Sequence, residues 1–189
     1  MIWIVLRLIF LSLTLINIVL GQWTQGDFLR ADSLVRRLPP SAFPQLPEPI
    51  RTTLDDGGFT IPQSFGDTLP HNVVMGEFRK HGEHGWAVLA SKNRVSSILI
   101  FWNESGTDTT HLSRAADYGY LQSMGDLGIA FSRSISAVRL NIDTDCIDFE
   151  PHERPTEIDH DAIEDGFLSK ASTAFYFNNG RWFSCATGD

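Results

Sequence analysis

The chain has 189 residues, with 15 Lys and Arg against 23 Asp and Glu, a formal net charge of −8. That balance excludes the usual electrostatic route to nucleic acid, which needs Lys and Arg against phosphate, and it argues equally against an anionic membrane surface. The length suits one domain with a substantial core.

The first twenty residues are predominantly apolar, Arg7 is their only charged side chain, and no acid precedes Asp27. The run exits at Val19-Leu20-Gly21, where modest side chains at Val19 and Gly21 match a signal-peptidase cut before Gln22. Residues 1–21 are therefore expected to be a cleaved signal peptide. The competing expectation is a retained anchor, since the run nearly reaches the ~20 residues that span a bilayer. Loss of Arg7 with the leader deepens the charge from −8 to −9. The expected location is exported, periplasmic or extracellular, with no stable membrane insertion after cleavage.

Phe28, Leu29, Leu34, Val35 and Leu38 recur at helical spacing, and Pro39-Pro40 ends that pattern. A proline-rich connector leads to a second short helix over Ile50–Asp55, stopped by Gly57-Gly58. Residues 22–60 thus read as an N-terminal helical extension packed on the main domain, residues 61–189.

Short strands are expected at Val73–Met75 and Trp86–Ala90. A turn follows at Ser91–Arg94, and a strand apolar on both faces runs over Val95–Trp102. Residues 103–120 read as loop and irregular structure. Asn103-Glu104-Ser105 is a glycosylation sequon, which has meaning only in a eukaryotic host. Ile129–Phe131 and Ser134–Leu140 are further strand candidates, and the acidic stretch 143–160 reads as a surface loop. Asp161-Ala162-Ile163-Glu164 has the form of a capping box, with Ile163, Phe167 and Leu168 on one apolar side of a helix. Thr173–Phe177, Asn179-Gly180 and Arg181–Cys185 form the best hairpin signal, because Asn and Gly tolerate positive φ. The sum is an α+β class: a mainly antiparallel sheet with short flanking helices, one domain after a signal peptide.

Residues Val74–Leu89 carry Gly76, Phe78, Gly82 and an apolar exit strand from Trp86. This single stretch resembles the FG-GAP/VCBS-type motif of integrin-like propeller blades. The resemblance implies strand–loop–strand geometry. It implies no metal at this loop, because Glu77, Arg79, His81 and Gly85 stand where the family places Asp or Asn. One copy cannot build a propeller. The layout is also similar to small, uncharacterised exported bacterial proteins that end in an aromatic hairpin.

Cys146 and Cys185 both follow the leader, and an even count in an oxidising compartment predicts a disulfide. Its loop of about 40 residues is worth about 4 kcal/mol in the chain-entropy view. The alternative is two buried thiols.

Charge is the most unusual feature. Asp143, Asp145, Asp148, Glu150, Glu153, Glu157, Asp159, Asp161, Glu164 and Asp165 face only Arg154 within that stretch. Solvent, a cation or a basic partner must offset them. Asp159, Asp161 and Asp165 resemble a fragment of the Asp-rich loops of thrombospondin type 3 repeats, which implies calcium. On the capped-helix reading the same acids complement the helix dipole. Three functional readings follow. The first is a non-enzymatic binding or structural domain engaging a basic protein or cell-envelope component through Asp143, Asp145, Asp148 and Trp182. The second is a calcium-stabilised module. The third is an extracytoplasmic hydrolase using His160 with its acidic neighbours. His81, Glu83 and His84 lack the His-Glu-x-x-His zinc pattern, and no Gly-x-Ser-x-Gly elbow occurs. The sequence names no catalytic residue and no cofactor beyond the calcium candidate.

Overall fold

Alternation in short runs, broken by residues that tolerate positive φ, makes this chain fold as strands. A computed structural model describes residues 23–66, 68–125, 128–150 and 158–187. The expected leader, Glu153, Arg154 and Glu157 lie outside these residues, as do the side chains of Phe149 and Glu150.

The expected α+β class is overturned. The described chain is mostly antiparallel strand, in two main sheets that resemble a β-sandwich, with three short α-helices rather than flanking helical layers. The first sheet joins β3 (Val73–Gly76), β4 (Gly85–Lys92), β5 (Val95–Phe101) and β6 (Thr109–Ala116) in sequential order. The second has the order β10 (Ile147–Glu150), β13 (Arg181–Thr187), β12 (Ala171–Asn178), β11 (Ala162–Phe167), β9 (Arg133–Val138). Two ribbons complete the fold: β1 (Arg37–Leu38) with β2 (Ile61–Pro62), and β7 (Leu121–Ser123) with β8 (Ile129–Phe131).

Side chains alternate across the central strands, so β4 and β5 bury both faces. Trp86, Val88, Ala90, Leu99 and Phe101 meet Phe43, Leu46, Ile50 and Leu54 of the N-terminal arm. Ala87, Leu89, Ile98 and Ile100 point the other way, into a cluster with Ile135 and Ile163 of the second sheet. A third cluster surrounds the outer face of that sheet, with Ile142, Ala162, Tyr176, Phe183 and the two cysteines.

Helix α1 spans Gln25–Leu34, one turn short of the sequence expectation. Thr24 caps it through a reciprocal box with Asp27, and the chain leaves the helix at Val35 so that Arg37 and Leu38 can pair with β2. Helix α2, Glu48–Asp56, buries Ile50 and Leu54. Helix α3 is the four-residue turn Ile142–Asp145.

The stretch 143–160 is not simply a surface loop, because α3 and the paired strand β10 form within it. Two further expectations fail for connected reasons. Residues 161–168 form no capped helix: Ile163–Phe167 pair with Ala171–Phe175 on one side, and Ala162–Phe167 pair with β9 on the other. Residues 109–116 form β6, not loop. Their alternation is hidden by a bulge, where Ser113 takes φ +49° and the register shifts opposite Ser96–Ile98. The hairpins at Asn93-Arg94 and Asn179-Gly180 form as expected, with positive φ at all four residues.

Tyr176 packs face to face with Phe183 at 5.6 Å, and its hydroxyl has no hydrogen-bond partner among the described residues. Burial pushes the phenol up to about 12. A neutral phenol is thus favoured by folding: its contribution is complete below pH 10 and is lost as pH rises from 10 to about 12. Tyr176→Phe removes an unserved buried hydroxyl, which costs about 1–3 kcal/mol where it stands. The variant is expected to melt at or above the wild-type temperature and to lose the latest phenolate transition in an absorbance titration. A clear fall in melting temperature would mean the hydroxyl has a partner.

Candidate functional site

The disulfide is present: Cys146 and Cys185 are joined with Cα atoms 5.4 Å apart. Cys146 lies between α3 and β10, so the bond fastens the acidic segment to strand β13. Asn141 caps α3 by accepting from the Asp143 amide at 3.0 Å. Asp145 accepts from the Asn141 amide and from Thr144 Oγ1, both at 2.8 Å. Those bonds, the backbone one first, hold the Asp145 carboxyl below the ordinary carboxylate range.

Pairing between β10 and β13 matches Ile147 to Ala186 and Glu150 to Ser184, with a bulge between. Asp148 occupies the bulge at φ +51°, a conformation that Asp accepts more readily than most residues. A bulge re-aims side chains. Here Ile147 is 60% exposed, and Asp143, Asp145 and Asp148 are exposed around it in sequence. An apolar knob among carboxylates, on an edge strand held by a covalent bond, is the most distinctive surface of the described chain. Sequence reading identified the acids and missed Ile147, because an isolated Ile in an acidic run looks like a core residue.

The three calcium candidates have three different environments. Asp159 Oδ1 lies 3.3 Å from His160 Nδ1, a contact that draws the Asp159 pKa down. Asp161 accepts from the Glu77 amide at 2.9 Å and lies 3.4 Å from Arg139 Nε. Asp165 is buried between the sheets, paired with Arg133. Along an extended strand, residues 161 and 165 stand about 13 Å apart, whereas one calcium needs all its oxygens within about 2.6 Å. Among the described residues no group of three or more His, Cys, Asp or Glu is placed to hold a metal ion.

The loop after β3 docks on the start of β11. The Asp161 amide donates to the Glu77 carbonyl at 3.0 Å, and Glu77 accepts from His81 Nδ1 at 2.8 Å, with Arg139 3.5 Å away. The His81 bond chiefly holds the Glu77 carboxyl below its ordinary range. Glu83 pairs with Lys80, so His81, Glu83 and His84 do not converge. Arg79 lies over Trp102, 4.5 Å from the ring centre. His160 is buried, and its Nε2 donates to the Phe177 carbonyl at 2.6 Å. With the other nitrogen on Asp159, the ring is fully engaged by its surroundings. Trp182 stacks on Trp102 at 5.6 Å, and its indole N–H is buried. Trp182 therefore belongs to an aromatic cluster at the end of the sandwich opposite Ile147.

Sequence reading also missed a buried polar assembly that joins the two sheets. Arg133 is fully buried and reaches Asp165 with Nε at 2.9 Å and Nη2 at 2.8 Å. Its remaining donors go to Ser96 Oγ at 2.8 Å and to the Ser113 carbonyl at 2.6 Å, and its guanidinium sits 4.5 Å from the Tyr120 ring centre. Ser96 and Ser113 belong to the first sheet, Arg133 and Asp165 to the second, so one cation ties the layers together.

Comparison with protein-family models, with curated proteins and with solved structures finds no match.

Proposed function

We propose that this chain is an exported, non-enzymatic binding domain that engages a basic protein or cell-envelope component through its disulfide-held acidic edge. The observation that carries this is Ile147, 60% exposed on a bulged edge strand between Asp145 and Asp148. An exposed aliphatic anchor supplies desolvation energy, while surrounding carboxylates steer and select a cationic partner. The disulfide preorganises the segment, which lowers the entropy lost on binding.

Export is supported by the buried disulfide, which suits an oxidising compartment. His160 is buried, with Nε2 bonded to the Phe177 carbonyl, which counts against the hydrolase reading.

The test is binding to immobilised Lys/Arg-rich peptides. Asp143→Asn, Asp145→Asn and Asp148→Asn together keep the cap and turn geometry while removing three charges. This variant is expected to lose salt-sensitive retention, and Ile147→Ala is expected to weaken retention by about tenfold, or about 1.4 kcal/mol. Retention that ignores salt and both substitutions would discard the reading.

A further inference from the structure

Asn103-Glu104-Ser105 lies between β5 and β6, on a loop that is fixed at its base and open at its tip. The Trp102 amide donates to the Asp108 carbonyl at 3.2 Å, closing the loop. Gly106 is buried at φ +73°, and a Cβ there would lie 2.8 Å from the Pro49 carbonyl oxygen, so only glycine fits. Thr53 Oγ1 donates to the Gly106 carbonyl at 3.2 Å and anchors the loop on α2.

The three sequon residues are all exposed. Asn103 Oδ1 accepts from the Ser105 amide at 2.9 Å and from Ser105 Oγ at 2.5 Å. The amide oxygen is thus occupied by the residue two places on, and no described residue accepts from Asn103 Nδ2. A surface loop carrying Asn-x-Ser on a disulfide-bonded chain is the context an N-glycan acceptor requires.

We infer that Asn103 is an N-glycosylation site, modified when the chain passes through a eukaryotic secretory pathway. The donor is an oligosaccharide linked through diphosphate to a membrane lipid. A bond forms from Asn103 Nδ2 to the sugar C1, the bond from C1 to the diphosphate oxygen breaks, the lipid diphosphate leaves with the electron pair, and Nδ2 gives up one proton.

The placement leaves the acidic edge free. Trp102, beside Asn103, stacks on Trp182. Ile147 pairs with Ala186, four residues further along β13, or about 13 Å away at the usual strand rise. A glycan at Asn103 would therefore occupy the aromatic end of the sandwich. This inference goes beyond the binding reading and shares with it only the premise of export.

The full chain is to be expressed in a eukaryotic secretory cell line, once with its own first 21 residues and once with them replaced by an established leader. Total protein, inside and outside the cells, is compared on gels before and after peptide N-glycosidase, and the released chain is weighed for conversion of Asn103 to Asp. Both arms are expected to shift and to collapse on deglycosylation. Asn103→Gln and Ser105→Ala should abolish the shift, and Ser105→Thr should keep it. A shift only with the established leader would support the site and count against export by the chain's own segment. An unmodified chain in the established-leader arm overturns the inference.

Discussion

Arg133→Met is expected to lower the unfolding free energy by about 3–5 kcal/mol, because it removes one partner of a buried ion pair. Its guanidinium has no solvent exposure, so the charge of Asp165 has been removed from water with little else to neutralise it. Deleting the cation leaves that carboxylate buried and unpaired. It also strips donors from the Ser113 carbonyl and Ser96 Oγ. Asp165→Leu is expected to cost a similar amount for the mirror reason. Arg133→Met with Asp165→Leu should recover part of the loss, because no isolated charge then remains. Urea unfolding of the four proteins gives the coupling energy directly. Singles that cost under about 1 kcal/mol, or a double that is simply additive, would show that the pair is not buried as described.

Removing the disulfide has a comparably large expected effect. Its cysteines are 39 residues apart, and closing a loop of that length restricts the unfolded chain by about 4 kcal/mol in the chain-entropy view. Cys146→Ala with Cys185→Ala should therefore lower stability by about that amount, and reduction of the wild type should match it. The loss has a local component. Cys146 immediately precedes β10, an edge strand whose pairing with β13 is already interrupted by a bulge. Amides of residues 142–148 should exchange faster in the double variant, and retention on basic peptides should fall with them. Equal exchange there, with wild-type stability, would separate the disulfide from the binding edge.

Much of the strand inventory was legible because its signals are local. Asn179-Gly180 needs only its own two residues to favour a hairpin turn. Val95–Phe101 announces a central strand because apolar side chains occupy both of its faces. The capping box of Thr24 and Asp27 went unread, so apolar spacing alone began the first helix at Phe28, late, and overran its end. The only two cysteines had one pairing available.

The candidate site was half legible. Asp143, Asp145 and Asp148 stand out by charge, but their grouping around Ile147 depends on the bulge in β10, which pairing with β13 creates. Asp159, Asp161 and Asp165 are neighbours in sequence and strangers in space, because the rise along an extended strand and separate partners hold them apart.

The fold class was decided only in three dimensions. Ala162–Phe167 looks helical because Asp165 breaks the apolar alternation of a buried strand, and an acid at a core position carries a strand-forbidding cost when read alone. Arg133, 32 residues away, removes that cost. The bulge that hides β6 serves the same contact, by bringing the Ser113 carbonyl and hydroxyl to the same guanidinium. Local patterning determined where most strands and turns lie and which cysteines pair. The tertiary structure alone decided that two sheets face each other, because a buried charge has no meaning until its partner arrives.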